Sequence, residues 1–311
     1  MNGLLPSTFR LAPQVARARQ MKAPIVALET TVVTHGLPRP ENLRLAQDMA
    51  MQIEASGATR ATIGVLNGKI LIGMNQTELE KLDLAQPLHK ISRRDFATAI
   101  AKRESGGTTV AGTLIAAHAV GIRVFATGGI GGVHRQASFD VSTDLMELAR
   151  TPLIVVCAGA KAILDLPATL EYLETLGVPV VGYQTDEFPA FYARSSGLSV
   201  PVRADSPDEV VALAKAHWNL GLDSAVLVVV PPPEKSALPA DQLDIAITQA
   251  LTEVREKQIR GQEVTPFLLA RVSELTGQAS LRANLDLLLN NARIAAQIAV
   301  SLSRGVMGKS G

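Results

Sequence analysis

The chain has 311 residues, 47% of them apolar and 19% charged, with a formal net charge of +1. That composition builds a substantial core and excludes a disordered chain. The longest apolar runs, residues 153–158 and 225–230 among them, are strand-length, far short of the ~20 residues that span a membrane. With one Trp and no basic stripe, no nucleic-acid polymer is expected as a partner. The single cysteine, Cys157, excludes an intramolecular disulfide and a thiolate metal cluster.

Residues 1–22 read as an N-terminal extension, a short surface helix leading into a first strand at 24–28. Without an apolar signal core, they suit a cytoplasmic enzyme. A helix follows at 41–56, then strands at 61–66 and 70–73 and helices at 93–104 and 109–120. A strand at 123–127, a helix at 143–149, a strand at 153–157 and a helix at 168–176 continue the alternation. Next come a strand at 179–182, a helix at 207–220 and a strand at 225–230. The last third turns helical, at 241–260, 266–276 and 280–303, and residues 304–311 read as a frayed tail. Val- and Ile-rich runs of this length are the pattern of strands covered on both faces. The expected fold is α/β, a three-layer α/β/α sandwich forming one catalytic domain over residues 1–311. Its central sheet is mostly parallel or mixed, with C-terminal helices capping it. Ligands then bind at the strand ends.

Two glycine motifs fail on spacing. In Gly129-Ile130-Gly131 the third glycine of a dinucleotide loop falls on His134, and before Gly308-Lys309-Ser310 the first glycine of a phosphate loop falls on Ser303. Four polar segments remain that packing alone does not explain. The first is Glu29-Thr30-Thr31 with His35-Gly36, where a carboxylate at a buried strand end either has its pKa raised and suits a general acid, or caps or pairs with a nearby Arg. The second, Lys90-Ile91-Ser92-Arg93-Arg94-Asp95, reads either as a phosphate clamp or as a solvated helix start. The third runs from Gly128 through Gly132 to His134 and Arg135, and on to Asp140, Ser142, Thr143 and Asp144. Closely spaced glycines bring backbone N–H groups near an anion, and the two aspartates are hard ligands suited to Mg²⁺ or Mn²⁺. The fourth is Gly159-Ala160-Lys161-Ala162, just past the strand that carries Cys157. A lysine in apolar surroundings has a depressed pKa and attacks sugar carbon centres, whereas Cys157 reads as a small buried hydrophobe.

Together these segments resemble the pseudouridine-5′-phosphate glycosidases, from about Ala23 to Ala299. The resemblance rests on Val26–Glu29, His35-Gly36, Ser92–Asp95, Ala126–Arg135, Cys157–Lys161 and the string Thr265-Pro266-Phe267-Leu268-Leu269-Ala270-Arg271-Val272. It implies reversible cleavage of the C–C glycosidic bond of pseudouridine 5′-phosphate to uracil and ribose 5-phosphate. It implies one Mn²⁺ per subunit, or another divalent ion, and a homotrimer. By motif position, Lys161 is the nucleophile that forms an imine with C1′, Glu29 the proton donor and Asp140 the metal ligand. Lys90, Val110, Ser142 and Thr143 bind substrate with His134 and Asp144 beside them, and Asn290 or Asn291 faces the uracil. The chain departs from the family pattern in a short stretch from His134 to Asp140, in Val230-Pro231-Pro232-Pro233-Glu234 for Asn-Pro-x-Pro-Glu, and in Glu29-Thr30-Thr31 for Glu-Ser-Thr. Two other readings stand beside this one: another Schiff-base lyase or isomerase acting on a sugar phosphate, and a non-catalytic nucleotide-phosphate sensor.

Overall fold

A computed structural model of the chain describes residues 5–135, 140–259 and 264–307. The chain opens with β1 (Phe9–Leu11), α1 (Pro13–Gln20), β2 (Ile25–Leu28), a π-helical turn at Val32–Gly36 and α2 (Glu41–Ala55). Then come β3 (Thr59–Leu66), β4 (Lys69–Ile72), α3 (Gln76–Asp83), β5 (Leu88–Ile91), α4 (Phe96–Ala101), β6 (Ser105–Thr108) and α5 (Val110–Ala119). The centre is β7 (Val124–Ala126), β8 (Val133–His134), α6 (Thr143–Leu148), β9 (Ile154–Cys157), β10 (Leu164–Asp165), α7 (Leu166–Thr175) and β11 (Val180–Tyr183). The last part is β12 (Val202–Ala204), α8 (Pro207–Asn219), β13 (Val226–Val229), α9 (Ala240–Glu256), α10 (Val264–Leu275) and α11 (Ala279–Met307).

One mixed sheet runs β1-β4-β3-β2-β7-β9-β13-β11-β12, with β6 joined to β3 and carrying β5. From β3 through β2, β7, β9, β13 and β11 to β12 every pairing is parallel. The pairings of β3 with β4 and β6 are antiparallel. Every residue of β7, β9 and β13 is buried, because apolar runs covered on both faces have no solvent side. The longest helix, α11, lies across β2, β7 and β9 with α2 and α8 beside it, while α5 packs against β2, β3 and β6. The sandwich expected from the alternation is therefore the one formed. No helix among the described residues is long and apolar enough to cross a membrane.

The differences from the sequence reading have local causes. Residues 9–11, read as part of an extension, form β1 and add a parallel strand to β4, and Val15 and Ala18 of α1 are buried. The helix expected at 93–104 shortens to α4. Asp95 Oδ2 accepts the Ser92 N–H at 3.0 Å, a turn that delays the helix, and Arg103 at φ 55° ends it. The helix expected to end at 303 continues to Met307, and the glycine-lysine tail at 308–310 lies outside the described residues. Among the segments without a predicted element is α3, whose Asn75 and Glu78 form a reciprocal capping box.

Candidate active site

The parallel strands β2, β7 and β9 are neighbours, so the residues just past their carboxyl ends lie side by side. Those residues are Glu29, the glycine segment from Thr127, and Lys161. They open on a cavity of about 210 Å³. Its wall also carries Lys90 from β5, Val110 from α5, His134 from β8, and Ser142, Thr143 and Asp144 at the start of α6. Over these sit apolar side chains, Phe191, Pro266 and Leu269 of α10, and Leu288 of α11.

Burial raises the Glu29 carboxyl from 4.5 to about 7. The opposing effects are the Lys161 charge and the hydrogen bond from Thr127 Oγ1, and the Asp144 charge adds to the rise. Lys90 falls from 10.5 to about 8, through burial first and the Lys161 charge second. Lys161 thus acts on both Glu29 and Lys90. Beside Lys90, burial takes His35 from 6.5 down to about 4, and its Nδ1 pairs with Thr34 Oγ1 at 2.7 Å. A neutral imidazole, a carboxyl that holds its proton near neutrality and a lysine beside a second, depressed amine make a site for proton transfer and amine attack. Cys157, fully buried with its thiol pushed up to about 12, is packing rather than chemistry.

The backbone under Lys161 is tightly held. Gly159 takes φ +85°, and a Cβ there would stand 2.5 Å from the Pro189 carbonyl, so only glycine makes the turn. The Lys161 N–H donates to Ile130 O at 3.1 Å, tying the lysine to the glycine segment. Asp144 holds that segment from the other side. One carboxylate oxygen accepts the Ala111 N–H and the other the Gly131 N–H, both at 2.9 Å. It therefore clamps the first turn of α5 to the glycine loop, and a Cβ on Gly131 would meet its Oδ2 at 2.8 Å. Thr30, at the family's Ser position, is fully buried, and its hydroxyl donates to Ile63 O and accepts the Thr108 N–H.

Several residues singled out in the sequence lie elsewhere. Arg93 does not face the cavity: its guanidinium makes a two-pronged pair with Glu147, both bonds at 2.7 Å. Glu147 is only 3% exposed, so an Arg93→Ala variant leaves a buried carboxylate short of its partner. The expected cost is about 2 kcal/mol of stability, read as a lower urea midpoint, with KM nearly unchanged. Arg94 is exposed, and Arg135 donates to Leu164 O at 3.0 Å behind the site. Asn290 and Asn291 do not line the cavity either. Asn291 is fully buried and donates to Thr127 O at 2.9 Å, while Asn290 accepts from Arg293 on the surface. The amide that α11 does bring to the cavity is Asn284, 7% exposed and one turn before Leu288. Its signal in the sequence is an amide at i, i+4 spacing from an apolar cavity residue.

Asp140 lies outside the lining, 52% exposed, with Oδ2 4.0 Å from His134 Nδ1. The shortened stretch between them includes residues 136–139, which lie outside the described residues. Among the described residues no three His, Cys, Asp or Glu side chains gather as a metal cage. One hard, half-exposed carboxylate fits a divalent ion that keeps several waters, not a tetrahedral zinc site.

The family model described as indigoidine synthase A like protein matches residues 14–301. A pseudouridine-5′-phosphate glycosidase of Solibacter usitatus is 52% identical over 94% of this chain and 99% of its own length. One from Geobacillus kaustophilus is 52% identical over 93% and 97%. Among solved structures, the prealnumycin C-glycosynthase AlnA in complex with ribulose 5-phosphate superposes with a TM-score of 0.91 at 35% identity, covering 98% of this chain and all of that one. An indigoidine synthase A-like protein of Thermotoga maritima gives 0.85 at 39% identity, covering 91% and 94%. Matched over residues 14–301 in sequence and over 98% of its length in fold, the chain belongs to the indigoidine synthase A-like family, together with relatives named pseudouridine-5′-phosphate glycosidases.

Proposed function

We propose that this chain is itself a pseudouridine-5′-phosphate glycosidase, cleaving the C–C bond between C5 of uracil and C1′ of ribose 5-phosphate reversibly through a Lys161 imine. The observation that carries the reading is the pairing of Lys161 with Glu29, a carboxyl lifted to about 7, in one partly apolar cavity. A carbon leaving group needs an electron push behind it and a proton in front. The Lys161 amine bonds C1′ and the C1′–O4′ bond breaks, the proton shed by the amine passing to the ring oxygen and opening the ribose. Glu29 protonates uracil C5. The C1′–C5 bond then breaks as the nitrogen lone pair forms the C=N bond. Water adds to the imine and frees ribose 5-phosphate and the lysine.

In this reading the phosphate lies against Val110 at the first turn of α5, with Lys90, Ser142 and Thr143 around it, because a helix start and an ammonium both favour an anion. Asn284 has the donor and acceptor that a uracil edge needs, and Leu288 and Phe191 offer apolar contact to the ring. Asp140 would hold the divalent ion, whose chemistry when bound is to neutralise phosphate charge. An Asp140→Ala variant should need at least tenfold more Mn²⁺ for half-maximal activity, checked by titrating metal into chelator-treated protein. The resemblance also supports a cytoplasmic homotrimer, which light scattering on the eluting protein tests. For the reaction itself, the protein is incubated with pseudouridine 5′-phosphate and Mn²⁺ and free uracil is quantified. Release of uracil supports the reading; a folded protein that releases none overturns it. Borohydride trapping with ribose 5-phosphate separates a Schiff-base enzyme from a sensor, which gives no lysine adduct.

A further inference from the structure

A second cavity opens at the opposite end of the sheet, against the amino ends of β2 and β7, with a volume of about 340 Å³. Four cationic side chains line it: Arg19 of α1, Lys22 just after α1, Arg123 just before β7 and Lys215 of α8. Trp218 completes the wall, and among the described residues no carboxylate lines it. Asp223, the carboxylate whose charge reaches Arg123, lies outside the lining.

Helix ends explain part of this. Cations favour the last turn of a helix, and Arg17 and Arg19 of α1 and His217 of α8 occupy such positions. Lys215, Lys22 and Arg123 are not in a last turn, so helix termini do not account for their convergence on one concave surface. A concave surface lined by like charges attracts an oppositely charged ligand. The site is also partly built. Arg123 Nη1 donates to Pro152 O at 2.7 Å, its guanidinium lies 5.1 Å from the centre of the Trp218 ring, and the indole N–H donates to Ser224 O at 3.0 Å.

We propose that this cavity binds a small polyphosphate, either the free ion or the di- or triphosphate end of a nucleotide. A charge of three or four matches the four cations, whereas a monophosphate leaves half of them unanswered. The inference does not rest on the glycosidase reading, because among the described residues no side chain is shared between the two cavities.

Trp218 is the chain's only tryptophan, so its fluorescence reports on this cavity alone. The full-length protein is titrated with tripolyphosphate, ADP and orthophosphate at 0.15 M salt. The expected result is a saturable change with Kd below about 1 mM for tripolyphosphate, at least tenfold tighter than for orthophosphate. Lys215→Glu and, separately, Arg19→Gln should each weaken binding about tenfold and leave uracil release unchanged. ADP binding tighter than tripolyphosphate identifies a nucleotide as the source, and the reverse identifies the free ion. A change that does not saturate, or that persists undiminished in folded Lys215→Glu protein, overturns the proposal.

Discussion

Replacing Lys161 by alanine should leave a folded protein whose uracil release falls by roughly 10⁴-fold or more, as loss of a covalent nucleophile does elsewhere. The side chain opens on the cavity from a backbone fixed by Gly159 behind it and by its own N–H bond to Ile130 O. The other described amine in the cavity wall, Lys90, stands on β5 and approaches from a different side of the fold. The variant should also lose the adduct that borohydride traps with ribose 5-phosphate. Activity retained with no trapped adduct in either protein would rule out the imine while leaving the cavity's ligand open. Lys161→Arg should not rescue, since a guanidinium stays protonated and cannot attack.

A Glu29→Gln variant should lose about 10²–10⁴-fold in kcat/KM, the usual contribution of a placed proton donor. Its pH behaviour distinguishes chemistry from packing. With its carboxyl at about 7, Glu29 is protonated below neutrality and ionised above it, so wild-type cleavage should fall as pH rises through 7. The variant's profile should lack that limb. Stability follows the same proton. The folded state keeps it between pH 4.5 and 7 while the unfolded state has lost it. The group's contribution is therefore fully present below 4.5 and lost as pH rises through 7. Glutamine, always neutral, should raise the melting temperature at pH 8 and lose that advantage at pH 4, measured by calorimetry.

The interior strands were legible because burial on both faces demands apolar runs. β2, β7, β9 and β13 stand where Val- and Ile-rich segments predicted them, within a residue or two at each end. β6 was not legible. Its sequence Ser-Gly-Gly-Thr has little strand propensity and exists because two neighbours crowd it: a Cβ on Gly106 would meet His89 O at 2.4 Å, and one on Gly107 would meet Thr34 Oγ1 at 2.3 Å. β8 and β10, two residues each, are held by pairing with each other and carry no periodic signal. Arg93 shows the same limit in the site. A cation before a helix reads either as a phosphate ligand or as a solvated helix start, and only the fold brings a buried carboxylate to it.

The sequence by itself determined which lysine and which carboxyl follow buried strands, and which glycines lie between them. Those features are local, since a strand end and a glycine turn specify their own backbone. The tertiary structure alone decided which side chains of a long helix reach the cavity. Asn284, Leu288 and Asn291 lie on one stripe of α11, and its crossing over β7 leaves Asn284 at the cavity while Asn291 caps the carbonyl of Thr127. A helix presents the same residue types every three to four positions, so the choice among them depends on where it lies against the sheet.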